Sequence, residues 1–181
     1  MGAIESCDRK MAEQVYYDVV DKSQWIDGPW KSEPDKEVWI DVETGLDCMI
    51  RRGGGGALCG YVGIPEGHPC FGLDDRYEQV YELEVHGGIN FASPCQEGPK
   101  EKVVCHTPES ERPDAVWWLG FDCGHYCDFM PEHQHLLPPH LRSRFSVDGV
   151  YRDCDYVKQQ CVQLAQQLAA MVEQKDVAAV A

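Results

Sequence analysis

The sequence lacks a long apolar run. No stretch approaches the roughly 20 consecutive apolar residues that a membrane-spanning helix requires. It also lacks an apolar core in its opening segment, MGAIESCDRK, which a secretory signal would need. We therefore expect no membrane segment, and we expect the 10 cysteines to be thiols in a reducing cytosol rather than the disulfides of a secreted domain.

Basic residues are also scarce. The chain has 16 Lys and Arg against 31 Asp and Glu, and its formal net charge is −15. A protein this acidic repels a phosphate backbone unless it carries a local basic patch. Only Arg51-Arg52 and the run 142–144 offer short ones. We therefore expect no duplex nucleic acid among the partners.

What the sequence does contain is typical of one globular domain. Its 181 residues can bury a sizeable core, and 43% of them are hydrophobic. Apolar residues recur at helical spacing over about 8–20 and again over about 153–174, with strand-like segments between. We predict a single α+β domain over residues 1–181: an antiparallel sheet of about five strands, with the N-terminal and C-terminal helices packed on one face.

Five segments predict the strands: 38–42, 46–52, 57–64, 81–91 and the segment that begins at 116. The glycine run 53–56 predicts a hairpin loop, because glycine tolerates positive φ. Gly60 and Gly63 lie inside a strand and indicate close approach of another backbone or a ligand. The segment 93–114, rich in proline and glutamate, predicts a long excursion of the kind that forms lids or metal-pinned flaps.

The densest run of reactive side chains is VWWLGFDCGHYCD, residues 116–128. An apolar strand leads directly into Asp122, Cys123, His125 and Asp128. Alternation along a continuing strand would place Cys123 and His125 on one face and Asp122 on the other. Acid/base and ligand-type residues at a strand end predict a functional site.

One interpretation of this run is a zinc site. Thiolate and imidazole groups bind zinc tetrahedrally. The excursion and the strand end together supply the candidate ligands Cys95, Cys105, His106, Cys123 and His125. No Cys-x-x-Cys pair occurs, so the spacing is not that of a standard zinc finger. The alternative for each cysteine is a small buried hydrophobic residue.

The other interpretation is acid/base catalysis or polar ligand binding without metal. His86 stands beside two glycines, and a carboxylate such as Asp122 could fix its tautomer. We predict His86, Asp122 and His125 as catalytic residues, with purely structural histidines as the alternative. Cys123 is a further candidate nucleophile if a histidine lowers its pKa. Ligand contacts are predicted at His68, Asp128, Trp118 and Arg51.

Several sequence blocks together resemble a known family. They are DKSQWIDGPWKSEPDK, TGLDCMIRR, GALCGYVGIPEGHP, EVHGGINFA and VWWLGFDCGHYCD, followed by YRDCDYV and a closing helix. The pattern is similar to an uncharacterised protein family of tailed bacteriophages and prophages, and it covers about residues 21–170. The resemblance implies a phage accessory protein that acts in the cytoplasm of the host bacterium. It assigns no catalytic role to any residue.

Two functions are consistent with these residues. The first is an enzyme, a hydrolase that processes a small, nucleotide-like ligand. The second is a binding module without catalysis, which sequesters a host signalling nucleotide or binds a host protein to disable defence. For a nucleotide, an anionic chain needs a local basic contact, and Arg51, Arg52 and Arg76 are the candidates. The apolar stripe of the last helix fits a monomer or a homodimer.

Overall fold

The computed structural model describes residues 13–105, 115–136, 138, 140 and 149–180. Within them the chain forms one antiparallel sheet of six strands in the order β1-β2-β3-β4-β6-β5. The strands are β1 (Gln14–Tyr16), β2 (Lys36–Ile40), β3 (Asp47–Arg52), β4 (Leu58–Pro65), β5 (Phe91–Pro94) and β6 (Val116–Asp122). The helices are α1 (Glu78–Tyr81), α2 (Pro131–Leu136) and α3 (Cys154–Val180), with 3-10 turns at Pro29–Lys31 and Gly54–Gly56. The predicted α+β class is confirmed.

Glycine-dependent turns connect β2, β3 and β4, which are neighbours in the sheet. Gly45, between β2 and β3, has a φ of +71°. Gly55 and Gly56, between β3 and β4, have φ of +72° and +81°. Residues with a Cβ rarely adopt this left-handed conformation. The predicted loop at 53–56 is therefore confirmed, and β3 and β4 pair directly on either side of it.

Helix α3 packs across one face of β3 and β4. The stripe predicted from its spacing is fully buried at Val157, Cys161, Leu164 and Leu168. Gly60 on β4 permits this packing, because a Cβ atom there would lie 2.8 Å from Cys161 Sγ. No helix in the described part of the chain is both long and apolar enough to cross a membrane.

A disulfide-closed loop covers the opposite face of the sheet. Cys95 and Cys105 form the disulfide, and Val104 beside it is fully buried in a second apolar cluster. The other buried members of that cluster are Met49, Tyr61, Val116 and Trp118. The described part of the excursion is therefore a packed cover, and Cys95 and Cys105 are not the thiols that we expected.

Two basic side chains hold this loop by its backbone carbonyls. Lys36 is buried, and its Nζ donates to the carbonyl oxygens of Lys100 and Val103, the latter at 2.7 Å. Arg51 donates to the carbonyl oxygen of Lys102 at 2.9 Å. Burial lowers the pKa of Lys36 to about 8, because the charged ammonium is partly removed from water.

A buried ionic cluster fixes the segment before β2 to the rest of the fold. The Arg52 side chain is fully buried, and its Nε donates to Asp35 Oδ1 at 2.8 Å. Lys22 reaches the same carboxylate oxygen at 2.8 Å. The remaining donors of Arg52 bind Gly56 and Pro34 carbonyl oxygens, the Glu33 carboxylate and the Tyr151 hydroxyl. Buried charges are costly unless they are paired, and here each one is.

Two predicted elements differ in the structure. Residues 14–16 of the predicted N-terminal helix form the strand β1 instead. This strand pairs with β2 and so satisfies the hydrogen-bonding groups of the β2 backbone at that edge. Residues 8–12 lie outside the described part. In the predicted strand at 81–91, residues 82–90 form turns and irregular backbone, because Gly87 and Gly88 have φ of +70° and +83°. The alternation there reflects burial of side chains such as Leu83 against the core, without strand pairing.

Replacing Leu164 with alanine should lower the free energy of unfolding by about 2–5 kcal/mol, because it leaves a cavity where α3 packs on the sheet. Urea denaturation followed by circular dichroism measures the change. Gln163→Ala, on the exposed side of the same helix, is the matched control and should change stability by less than roughly 0.5 kcal/mol. Equal effects of the two substitutions would contradict the packing described.

Candidate functional site

A buried carboxylate, Asp128, lies at the centre of the polar cluster that follows β6. The strand ends at Asp122, and the chain then turns back, with the Asp128 N–H donating to the His125 carbonyl oxygen at 2.9 Å. A backbone bridge to Val150 fixes Asp128 from the other side. Its side chain is only 1% exposed. A carboxylate this buried must be compensated by hydrogen-bond donors.

His86 supplies one of these donors. Its Nε2 lies 2.7 Å from Asp128 Oδ2, and its Nδ1 lies 3.0 Å from the Tyr156 hydroxyl oxygen. Its backbone N–H donates to Gln160 Oε1 at 2.8 Å. Because Tyr156 and Gln160 belong to α3, the helix sets both the position and the ring orientation of the histidine.

His125 approaches the same carboxylate oxygen from its own turn. Its backbone N–H donates to Asp128 Oδ2 at 3.0 Å, and its ring Nδ1 lies 3.5 Å from that atom. Nδ1 is buried and has no hydrogen-bond partner among the described residues. The loop carrying His86 packs directly on this ring, since a Cβ at Gly87 would lie 2.1 Å from His125 Cε1. The imidazole thus presents a ring nitrogen whose hydrogen-bonding capacity is unused.

Arg152 completes the compensation of the carboxylate. Its Nε donates to Asp128 Oδ1 at 3.0 Å, and its guanidinium stacks on the Tyr156 ring with Cζ 4.7 Å from the ring centroid. Burial alone would raise the pKa of Asp128, but hydrogen bonds from His86, Arg152 and the His125 backbone outweigh it and hold the pKa below its usual range. Asp128 is therefore ionised at neutral pH.

These residues form a group that could hold a metal ion. One ligand atom each from His86, His125 and Asp128 lies within 4.8 Å of the others. Two neutral imidazoles and a carboxylate are a common donor set for divalent transition metals. The group combines two residues predicted as catalytic with one predicted as a ligand contact.

Asp122 lies at the rim of this cluster. Its side chain is 40% exposed, its Oδ1 accepts from the Gly124 N–H at 2.8 Å, and Asn90 donates to its other oxygen. It does not pair with His86, whose carboxylate partner is Asp128. The turn after β6 instead brings His125 Nδ1 to 3.9 Å from Asp122 Oδ1, although strand alternation would have separated the two.

The structure does not bring the predicted cysteine ligands together. Cys95 and Cys105 are joined in the disulfide on the outer face of the sheet, and a disulfide offers no thiolate. Cys123 lies in the core cluster on the α3 face, where burial raises the pKa of its thiol, so it is neither an activated nucleophile nor a ready ligand. His106 lies outside the described residues.

Three predicted ligand contacts lie away from this cluster. His68 is buried against α3, with Nε2 3.0 Å from the Leu168 carbonyl oxygen. Trp118 is fully buried beneath the disulfide loop, and Arg51 anchors the same loop. Each of the three thus contributes to packing of the fold.

The cluster also contains residues that the sequence analysis did not single out. Arg152, Tyr156 and Gln160 recur every four residues, the spacing that places side chains on one side of a helix. This four-residue recurrence, with Arg152 just before α3 and Tyr156 and Gln160 within it, was the available signal. It was not decisive, because polar residues on a helix usually face solvent.

Comparison with protein-family models, with curated proteins and with solved structures finds no match to this chain. We therefore infer its function from the geometry of the site.

Replacing Asp128 with asparagine should lower the free energy of unfolding at pH 7 by about 1–3 kcal/mol, because His86 and Arg152 lose their ionised partner. The folded pKa of Asp128 is depressed, so its contribution is full above the unfolded value of about 3.9 and is lost as pH falls through the lower folded pKa. Urea denaturation between pH 7 and pH 3 should show the difference from wild type shrinking below about pH 4.

The exposed Asp75 is the control for this measurement, and Asp75→Asn should leave stability within roughly 0.5 kcal/mol of wild type. A stability difference for Asp128→Asn that stays constant down to pH 3 would contradict the role assigned to the carboxylate.

Proposed function

We propose that this protein is a zinc-dependent hydrolase that acts on a small, nucleotide-like ligand at the group formed by His86, His125 and Asp128. The observation that carries the proposal is the buried Nδ1 of His125, which has no hydrogen-bond partner among the described residues and lies 3.5 Å from the ionised carboxylate of Asp128. A buried polar atom without a partner is costly, and a cation bound there removes that cost. In accord with the family resemblance, the proposed setting is the host cytoplasm, with the protein as a phage accessory factor; the Cys95–Cys105 disulfide would be exceptional in that reducing compartment.

The number of donors supports a catalytic rather than a structural zinc. Structural zinc sites have four protein ligands, whereas catalytic sites have three and keep one position for water. His86 Nε2 and His125 Nδ1 lie 2.7 and 3.5 Å from Asp128 Oδ2. Tetrahedral ligands at zinc distances of about 2.0–2.2 Å are roughly 3.3 Å apart. For zinc to bind, the Nε2–Oδ2 distance would widen by about 0.6 Å, whereas the Nδ1–Oδ2 distance is already close to this value.

The surrounding residues match the support that metal ligands need. Ligating histidines usually hold their second nitrogen in a hydrogen bond, and ligating carboxylates are hydrogen-bonded in turn. Tyr156 is placed to accept from Nδ1 of His86 when Nε2 binds the metal, and Arg152 holds the second oxygen of Asp128. When bound, zinc supplies a water of lowered pKa.

Asp122 is the proposed general base. It is exposed, and its Oδ1 is 3.9 Å from His125 Nδ1, close enough for one water to bridge it to the open side of the site. Asp122 takes a proton from the attacking water, whose oxygen bonds to the electrophilic atom of the ligand. The bond to the leaving group breaks, and Asp122 returns the proton to that group.

A second candidate is the binding module without catalysis, and one observation favours it. Both ring nitrogens of His86 already have partners, Asp128 and Tyr156, so this part of the cluster is complete without a metal. In that case the cluster stabilises a surface that captures a host nucleotide or a host protein. A nucleotide released intact when the purified protein is denatured would favour this candidate over the hydrolase.

Zinc content tests the metal site. The protein dialysed against zinc should retain one zinc per chain by plasma mass spectrometry, and His86→Ala and His125→Ala should each lose it, since two donors hold zinc far more weakly than three. His140→Ala, an exposed histidine elsewhere in the chain, is the control and should retain it. A folded wild-type protein without zinc would overturn the proposal.

Substitution of Asp122 by asparagine tests the base. With p-nitrophenyl phosphate as the probe, the rate of hydrolysis by the zinc-loaded protein should fall by about 100-fold or more, while zinc content stays unchanged. Asp75→Asn is the matched control, because this exposed carboxylate lies outside the cluster. Equal rates for Asp122→Asn and wild type would remove Asp122 from the mechanism.

A further inference from the structure

A nucleotide-like ligand brings negative charge to a protein whose net charge is −15. The three arginines predicted to meet it are otherwise engaged. Arg51 holds the disulfide loop, Arg52 is enclosed in its ionic cluster, and Arg76 pairs with Asp74 through its Nε at 3.0 Å. Among the described residues, Arg152 is the arginine that contacts Asp128, a member of the group proposed to hold zinc.

Arg152 is placed and oriented to meet the anionic part of the ligand. Its Nε is fixed on Asp128 Oδ1 at 3.0 Å, and its guanidinium plane rests on Tyr156. The side chain is 25% exposed. In the described part of the chain its two terminal nitrogens make no hydrogen bond, so they remain available beside the carboxylate that faces the proposed metal.

We propose that Arg152 binds a phosphoryl group of the ligand, a role that rests on the proposed zinc hydrolase. A guanidinium presents two parallel N–H donors that match two phosphate oxygens. Because Asp128 and Tyr156 already restrict the side chain, little conformational entropy is lost when it binds.

The local charge makes this binding depend on the metal. Without zinc, the carboxylates of Asp122 and Asp128 outweigh the single guanidinium of Arg152 and repel an anion. A bound zinc ion, with its two positive charges, changes the net charge of the site from negative to positive. Phosphate should therefore bind to the zinc-loaded protein and not to the metal-free protein.

The test measures binding of inorganic phosphate by isothermal titration calorimetry, with zinc content determined on the same samples. Arg152→Gln removes the charge but keeps an N–H donor for Asp128, and Arg152→Met removes both. Arg152→Gln should retain one zinc per chain and bind phosphate about tenfold or more weakly, as expected for loss of a charge-assisted contact. Arg152→Met should lose phosphate binding to the same extent and should also hold zinc more weakly, because Asp128 loses a hydrogen-bond donor. Arg76→Met, a control at an exposed arginine outside the site, should bind phosphate as wild type does.

The outcomes separate this inference from the proposed function. Wild-type phosphate affinity in a zinc-loaded Arg152→Gln protein would overturn the role of Arg152 and leave the hydrolase proposal intact. Loss of zinc in both variants would also overturn it, because Arg152 would then serve only to hold Asp128. If acetate binds as tightly as phosphate, the group that Arg152 recognises would be a carboxylate, and its assignment to a phosphoryl group would be wrong. A wild-type protein without zinc would overturn both proposals.

Discussion

The burial of one carboxylate, Asp128, organises the functional end of this fold. A buried charge has to be surrounded by donors. Here they come from the adjacent turn carrying His125 and from two segments that are distant in sequence, the loop carrying His86 and the segment at Arg152. The hydrogen bonds that compensate Asp128 therefore connect the turn after β6 to the segment that leads into α3. The same convergence places two imidazoles and a guanidinium within reach of one another.

A comparison with the cluster around Arg52 shows why the two polar centres differ. Both lie near the start of α3, and both consist of buried ion pairs. The donors of Arg52 are shared among carboxylates, carbonyls and the Tyr151 hydroxyl, so that cluster is closed and stabilises the fold. In the cluster around Asp128, His125 Nδ1 has no hydrogen-bond partner among the described residues, and the hydrogen bond of the Arg152 guanidinium there is made by its Nε. A buried polar atom without a hydrogen-bond partner is the feature by which this cluster differs from the closed cluster around Arg52.

Periodicity was sufficient to predict most of the scaffold. The central strands, the glycine turns and the buried stripe of α3 follow from local patterns of spacing. The site was only partly predictable, since His86 and His125 stood out by composition, whereas the partner of His86 is fixed by a turn after β6 that no periodic pattern encodes. The predicted strand at 81–91 failed for the same reason, because Gly87 and Gly88 turn the chain. The roles of Arg152 and Tyr156 are visible only in the folded structure, where the packing of α3 brings Tyr156 to His86 and Arg152 to Asp128.

The late position of α3 in the chain has a consequence for biosynthesis. The ribosome releases the sheet before residues 149–160 emerge, and domains fold as units during synthesis. Until that segment is available, Asp128 lacks Arg152, and His86 lacks both Tyr156 and Gln160. The polar centre therefore cannot be completed before this segment has been synthesised, and a nascent chain that stops short of it lacks a finished site.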